Sequence, residues 1–416
     1  MTTMLSLHAD RSLIRAQGAS VRFLLASITA PAAPARTERM PVNVSFALDR
    51  SGSMAGDDKF PLAVEAVRKS LDLLHDDDRF SLVVFDDRVD VLAPSLTATP
   101  GAKRRALRAL EQVAPRGSTN MCSAWMLGAQ ELADHIAEGT TTRVLLLTDG
   151  LANAGETDRG KLVHHATELK RRGIATSCFG VGADFDEVLL RDISREGGGN
   201  FWFIQRSAQI VDLVTSELGE ALEVVVPSAT LALALPPEVR AEVLGGFRAR
   251  RSENRTGYTV ELGDLVSEQE LELVFRLTFP AGAVDTQLDV VASINGEERR
   301  QAFTFATHAA NDEQPRDRRV DREVGRQYVA RARAEATEAN RHGDYDRAHR
   351  VLTGTSRRIM EYAGDDAELR AMARGLRSEM VMYTQAPMSA MELKASFYVA
   401  ETAMRYRTSE GKARRG

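Results

Sequence analysis

The 416-residue sequence has only two cysteines and no excess of positive charge. Cys122 and Cys178 lie far apart in segments predicted to be buried, which excludes a disulfide framework and the ligand spacing of a zinc site. Lys and Arg number 54 against 59 Asp and Glu, so the net charge of −5 gives no electrostatic reason to expect a nucleic-acid or membrane partner. We therefore expect reduced, unreactive thiols in a cytoplasmic protein.

Long hydrophobic runs are also missing, since no stretch reaches the roughly 20 apolar residues that a membrane-spanning helix needs. The segment "VRFLLASITAPAAPA", residues 21–35, resembles a secretion signal because an apolar run precedes small residues. This run is short and is interrupted by Ser27 and Thr29, so we interpret it as a buried strand that ends at Pro31. The length of the chain suggests two or three domains of roughly 100 to 200 residues each.

Residues 41–221 alternate short apolar runs with amphipathic segments, which is typical of an α/β domain with helices on both faces of a mostly parallel sheet. The predicted strands include "VNVSFAL", "RFSLVVF", "TRVLLLT", "IATSCFGVG" and "NFWFI". In the segment between the first two, Phe60, Val64, Val67, Leu71 and Leu74 form one helical stripe. The pattern predicts a doubly wound, Rossmann-like domain.

The rest of the chain has a different pattern of apolar and polar residues. Residues 222–310 contain apolar runs separated by Pro, Gly and Asn, which predicts an antiparallel β-sandwich. Residues 1–36 have the same β pattern. Because an isolated strand pair is only marginally stable in water, we expect them to pair with that sandwich. The α/β domain would then be an insertion between two parts of the sandwich domain. The charged segment "NDEQPRDRRVDREVG", residues 311–325, is expected to be a solvated linker, and residues 320–416 are expected to form a helical region.

Oxygen-bearing side chains follow the predicted strands of the α/β domain. In "DRSGS", Asp49, Ser51 and Ser53 come directly after the first strand, Thr119 lies in the turn "RGSTN", and Asp149 ends the strand "LLLTDG". Ligands of doubly wound sheets bind beyond the carboxyl ends of the strands, near the switch in strand order. We therefore expect these loops to converge at one edge of the sheet.

Such a set of oxygens suits a hard divalent cation. No His or Cys belongs to the set, which argues against zinc or copper. The sequence predicts one Mg²⁺ at Asp49, Ser51, Ser53, Thr119 and Asp149, with Mn²⁺ or Ca²⁺ as alternatives.

These five residues resemble the metal-ion-dependent adhesion site of von Willebrand factor type A domains, whose pattern is D-x-S-x-S, a distant Thr and a distant Asp. The resemblance covers about residues 41–220, and the wider layout is similar to bacterial multi-domain members. It implies that Ser51, Ser53 and Thr119 bind the metal directly or nearly so, while Asp49 and Asp149 act largely through water. It also implies that ligand binding is accompanied by a shift of the last helix of the domain, here "SAQIVDLVTSELGEAL".

The resemblance further implies a protein-interaction adaptor, in which an Asp or Glu of a partner protein binds the open position of the metal. Bacterial relatives with this layout often accompany AAA+ ATPases, phosphatases or proteases, so we expect a protein partner of such a kind and neither nucleic acid nor a membrane span. We do not expect an enzyme.

Two alternatives remain open at this point. The first is a metal-dependent hydrolase that uses the same site, although "DRSGSMAG" lacks the G-x-S-x-G elbow of a serine nucleophile. The second is a structural scaffold without metal dependence, against which the complete set of five ligand residues argues.

Overall fold

The structure, a computed structural model, describes residues 3–33, 39–252 and 256–415. It divides into two compact units. One comprises residues 33–224, and the other combines residues 1–32 with residues 225–416. The ends of the predicted N-terminal segment, residues 1–2 and 34–36, lie outside the described residues.

The elements follow one another along the chain in four groups. The N-terminal strands are β1 (Met4–Ala9), β2 (Leu13–Arg15) and β3 (Ser20–Thr29). The elements of the α/β unit are β4 (Val42–Asp49), α1 (Lys59–Leu73), β5 (Arg79–Phe85), β6 (Val89–Thr97), α2 (Pro100–Leu110), α3 (Met121–Ala133), β7 (Thr141–Thr148), α4 (Arg159–Arg171), β8 (Ala175–Val181), α5 (Glu187–Glu196), β9 (Gly198–Ile204) and α6 (Ile210–Leu222). The later strands are β10 (Val224–Ala234), β11 (Arg240–Leu244), β12 (Arg248–Arg251), β13 (Gly257–Val266), β14 (Glu270–Phe279), β15 (Gln287–Ile294) and β16 (Glu297–Ala306). The C-terminal helices are α7 (His308–Glu313), α8 (Arg318–Arg341), α9 (Tyr345–Ala363), α10 (Ala367–Thr384) and α11 (Ala390–Met404).

The α/β unit is built on a six-stranded sheet in the order β6-β5-β4-β7-β8-β9. Its strands are parallel except β6, which returns antiparallel to β5. After β6 the chain crosses from one side of β4 to the other, so the switch in strand order falls between β4 and β7. All eight residues of β4 are buried, as expected for a central strand covered on both faces. The predicted doubly wound fold is confirmed.

The second unit contains a sandwich of two sheets, in the orders β1-β3-β14-β11 and β12-β13-β10-β15-β16-β2. The N-terminal strands pair with strands from far along the chain: β3 lies antiparallel to β14 and β2 parallel to β16. One apolar core joins the sheets, with Leu24 and Phe275 from one sheet and Val290 and Phe303 from the other all fully buried. The predicted β-sandwich and C-terminal helical region are both present.

The prediction of a solvated linker over residues 311–325 is wrong, because most of this segment is helical. Asp317 caps the N-terminus of α8 by accepting hydrogen bonds from the Arg319 and Val320 backbone. Val320 and Val324, four residues apart on one helical face, are buried in a cluster with Leu25 of β3. The charges of the segment are paired as well, since Arg316 binds the buried Asp321 through hydrogen bonds as short as 2.5 Å.

Deleting residues 1–33 should unfold the sandwich and leave the α/β unit folded. The deletion removes β3 from the interior of its sheet, together with Leu24 and Leu25, which are both fully buried. It also uncovers the edge of β14, and an unpaired edge promotes aggregation. Calorimetry should show the loss of one melting transition, and size-exclusion chromatography should show aggregates. A monomeric variant with an unchanged melting profile would refute the expectation, and residues 39–224 expressed alone provide the reference transition.

Candidate metal centre

The five predicted ligand residues lie at the carboxyl edge of the α/β sheet, on three neighbouring loops. Asp49 ends β4, and a short 3₁₀ turn over Gly52–Ala55 follows it. Thr119 precedes α3, while Asp149 follows β7 directly. Because β4 and β7 are parallel neighbours with Leu48 opposite Leu147, the ends of the two strands lie side by side.

The hydroxyls and carboxylates of the first and third loops contact one another. The Ser51 and Ser53 Oγ atoms are 3.0 Å apart, and Ser53 Oγ donates a 2.6 Å hydrogen bond to Asp149 Oδ1. Asp49 accepts a 2.7 Å bond from the Ser51 backbone N–H and a 2.5 Å bond from the Thr148 hydroxyl. Sequence reasoning did not foresee Thr148, which fixes the orientation of the Asp49 carboxylate.

Thr119 approaches from the second loop. A Cβ atom at Gly150 would lie only 3.2 Å from Thr119 Oγ1, so the glycine after Asp149 leaves room for this hydroxyl. Asn153 joins the second and third loops, because its Oδ1 accepts a 3.0 Å hydrogen bond from the Thr119 backbone N–H. The Thr119 hydroxyl itself forms no hydrogen bond within the described part of the chain, which leaves it available as a ligand.

Both acidic side chains of the site are buried, and Asp149 is already paired with Lys59. Asp49 and Asp149 are 0% and 1% exposed. Burial raises the pKa of Asp49 to about 6, against hydrogen bonds from Thr148 and Ser51 that lower it, and the nearby charge of Asp149 adds to the rise. A cation at this site would favour the ionised form of Asp49.

The residues fit a hard cation bound mainly by hydroxyls. Neighbouring ligand oxygens on an octahedral Mg²⁺ with bonds of about 2.1 Å lie about 3.0 Å apart, and the Ser51 and Ser53 hydroxyls have a separation of 3.0 Å. In the described residues no group of three or more His, Cys, Asp or Glu side chains is placed to hold a metal ion. A metal bound here would therefore depend on the hydroxyls of Ser51, Ser53 and Thr119 as well as on the two carboxylates.

Comparison with known proteins identifies the α/β unit. The family model of the von Willebrand factor type A domain matches residues 43–216. These residues form a von Willebrand factor type A (VWA) domain. The chain is 26% identical over 248 residues to the uncharacterized protein YfbK of Escherichia coli, a match of 58% of this chain and 43% of the relative. It is also 31% identical over 173 residues to human inter-alpha-trypsin inhibitor heavy chain H4, covering 40% of this chain and 18% of that protein. The chain thus spans less than half the length of these two relatives.

Two solved structures share the fold over nearly the whole chain. A von Willebrand factor type A protein from Catenulispora acidiphila has a TM-score of 0.67 at 19% identity, covering 92% of this chain and 96% of its own. The ArnB paralog VWA2 from Sulfolobus acidocaldarius has a TM-score of 0.60 at 16% identity, covering 97% and 99%. At these identities the likeness concerns the fold. No helix in the described part of the chain combines the length and the hydropathy that crossing a membrane would require.

Two arginines that share Asp86 connect the first candidate ligand loop of the VWA domain to the second. Arg50, between Asp49 and Ser51, donates a 2.9 Å hydrogen bond from Nε to Asp86 just after β5, and Arg116 donates a 2.8 Å bond to the same oxygen. Burial would raise the pKa of the Asp86 carboxyl, but the hydrogen bonds from Arg116, the Arg88 backbone and Arg50 hold it below its ordinary value.

Backbone contacts complete this connection. The Arg116 N–H donates to the Arg50 carbonyl at 2.7 Å, and the Asn120 N–H donates to the Asp86 carbonyl at 2.8 Å. Gly117 has a φ of +70°, and a Cβ there would collide with the Asp87 carboxylate. Sequence reasoning missed Arg50 and Asp86. The only signal was a pair of charged residues directly after two predicted buried strands.

Arg50→Met should destabilise the VWA domain far more than Arg116→Met, although both arginines bind the same carboxylate oxygen. The Arg50 side chain is 6% exposed and the Arg116 side chain 59%. Removing one partner of a buried ion pair costs about 3–5 kcal/mol, whereas an exposed pair contributes little. Urea unfolding of the two variants against wild type measures the difference, and equal losses in both would contradict the assignment.

Proposed function

We propose that the VWA domain is a metal-dependent protein-interaction module. Asp49, Ser51, Ser53, Thr119 and Asp149 hold one Mg²⁺ ion, and an Asp or Glu side chain of a partner protein completes its coordination. The observation that carries the proposal is the convergence of three hydroxyl residues and two buried carboxylates at the switch point of the sheet. VWA domains commonly bind a divalent metal at this position.

The preference for an acidic ligand follows from the charges of the donor set. Serine and threonine hydroxyls are neutral, and one of the two carboxylates, Asp149, already accepts bonds from Ser53 and from Lys59. When bound, the cation supplies an electrophilic position that a carboxylate oxygen fills. Leu151, two residues after Asp149, has an exposed side chain. It offers an apolar contact for the partner segment that carries this carboxylate.

The contacts of the two serine hydroxyls support binding without catalysis. The Ser51 and Ser53 hydroxyls bond to each other and to Asp149, and within the described residues no histidine bonds to either of them. A serine nucleophile needs a base positioned to take its proton, and histidine usually has this role. We therefore propose an adaptor that is not an enzyme. As further parts of the proposal, the adaptor is cytoplasmic and its partner is an AAA+ ATPase, a phosphatase or a protease.

Mg²⁺ should stabilise the wild-type protein and leave Asp49→Ala unaffected, because a ligand that binds only the folded state stabilises it by mass action. At a hundredfold excess over Kd the gain is about 2.7 kcal/mol. Isothermal titration of metal-stripped protein and thermal melts with and without Mg²⁺ measure both effects. Asp78→Ala is the matched control, since Asp78 is equally buried but lies before β5, at the opposite end of the sheet. Equal heats of Mg²⁺ binding for wild type and Asp49→Ala would refute the metal assignment.

Thr119→Ala and Asp149→Ala should lose the partners that the wild type captures in Mg²⁺. Both changes remove a proposed ligand, and Asp149→Ala also removes the partner of Lys59. Parallel pull-downs in Mg²⁺ and in chelator, read by mass spectrometry, measure the loss, and circular dichroism verifies that the variants fold. Thr157→Ala, an exposed threonine in the third loop region, should capture the same set as wild type. The proposal fails if chelator leaves the captured set unchanged.

A further inference from the structure

Lys59, the first residue of α1, places a positive charge inside the candidate metal centre. Its Nζ donates a 2.6 Å hydrogen bond to Asp149 Oδ2 and lies 3.5 Å from the Ser53 carbonyl oxygen. The Lys59 side chain is only 14% exposed and that of Asp149 is 0% exposed, so solvent screens the pair weakly. Nothing in the proposed metal coordination requires a lysine at this position.

We propose that Lys59 is a built-in counter-charge, which weakens the hold of the site on its metal and strengthens the binding of a carboxylate ligand to the metal-loaded site. The inference rests on the proposed function, because it assumes a divalent cation at the five ligand residues. It adds a residue that determines what the loaded site binds.

The geometry at Asp149 separates the roles of the two carboxylate oxygens. Oδ1 accepts the hydrogen bond from Ser53 and faces the ligand hydroxyls, while Oδ2 accepts from Lys59. The lysine is held there by its helix, which buries Phe60, Ala63 and Val67 in the core of the α/β unit. Asp57 and Asp58, both with a left-handed φ near +55°, turn the chain into that helix.

The buried charges of the site determine the sign of the effect. Asp49 and Asp149 contribute −2 and Lys59 contributes +1, so the protein groups sum to −1. A divalent cation brings the loaded site to +1, whereas the same site without the lysine charge would be neutral. Asp57 and Asp58 are exposed, so water and salt screen their charges. Arg50 is already paired with Asp86 and Asp90.

The two consequences have opposite signs, which distinguishes this role from a purely structural one. Removing the lysine charge should make the site bind its metal more tightly, because one repulsive charge is gone. The loaded site should then bind a carboxylate more weakly, because it has become neutral. If Lys59 only held Asp149 in place, its removal would weaken metal and carboxylate binding together.

The test uses full-length protein with Lys59→Gln, which keeps a hydrogen-bond donor without the charge, and Lys59→Met, which removes both. Lys59→Arg keeps the charge. Lys103→Met is the matched control. Lys103 lies on α2 and donates a hydrogen bond to the carbonyl oxygen of Leu74, just after α1, and its loss changes the domain charge equally. Mn²⁺ affinity is measured by isothermal titration. Carboxylate binding is measured with N-acetyl-aspartate, through the fall in water-proton relaxation of the Mn²⁺-loaded protein.

We expect Lys59→Gln to bind Mn²⁺ about tenfold or more tighter and N-acetyl-aspartate about tenfold or more weaker, in line with the effect of one charge at such short range. Lys59→Arg and Lys103→Met should match wild type. Should Lys59→Met fail to fold, Lys59→Gln decides the question alone. Parallel losses of both affinities, or no change in either, would overturn the inference while leaving the metal site intact. A wild type that binds no more Mn²⁺ than Asp49→Ala would remove the proposed function and this inference with it.

Discussion

The parallel pairing of β4 with β7 determines where the candidate site lies. Leu48 faces Leu147 in the ladder, which brings Asp49 beside Thr148 and allows the 2.5 Å hydrogen bond between their side chains. The order of strands reverses between β4 and β7, and ligands of doubly wound sheets bind at such a switch point. The loops after both strands can therefore share one set of ligand atoms.

Buried charges then hold these loops in position. Asp149 faces Lys59 on one side of the site, and Asp86 faces Arg50 on the other. Each pair joins segments that lie far apart in sequence, and each would be costly to break once desolvated. The hydroxyls of Ser51, Ser53 and Thr119 are thus presented on a fixed frame, which is what a metal with strict octahedral geometry requires.

The strands and the location of the loops could be predicted from the sequence because they depend on local patterns. Apolar runs such as "VNVSFAL" and "TRVLLLT" mark buried strands, and the rules for parallel sheets bring their carboxyl ends together. The partners of Arg50 and Lys59 could not be predicted, since an ion pair with Asp86 or Asp149 depends on tertiary distances that no periodicity encodes. The prediction for the start of α8 is wrong for a related reason. Its many charges suggested a solvated linker, yet Val320 and Val324 lie on one helical face and pack against Leu25.

Buried contacts also resist a movement of α6, the last helix of the VWA domain, on ligand binding. Glu217 on this helix is fully buried, forms an ion pair with Arg143 of β7 and accepts hydrogen bonds from Ser177 at 2.5 Å and Trp202 at 2.7 Å. A shift of α6 along the sheet would separate Glu217 from partners on three strands, and breaking a buried pair costs about 3–5 kcal/mol. A ligand can drive such a shift only by binding the shifted state more tightly by that amount, which is a factor of about a hundred or more. The Glu217 contacts therefore favour docking at a fixed site over a switch that is transmitted through the helix.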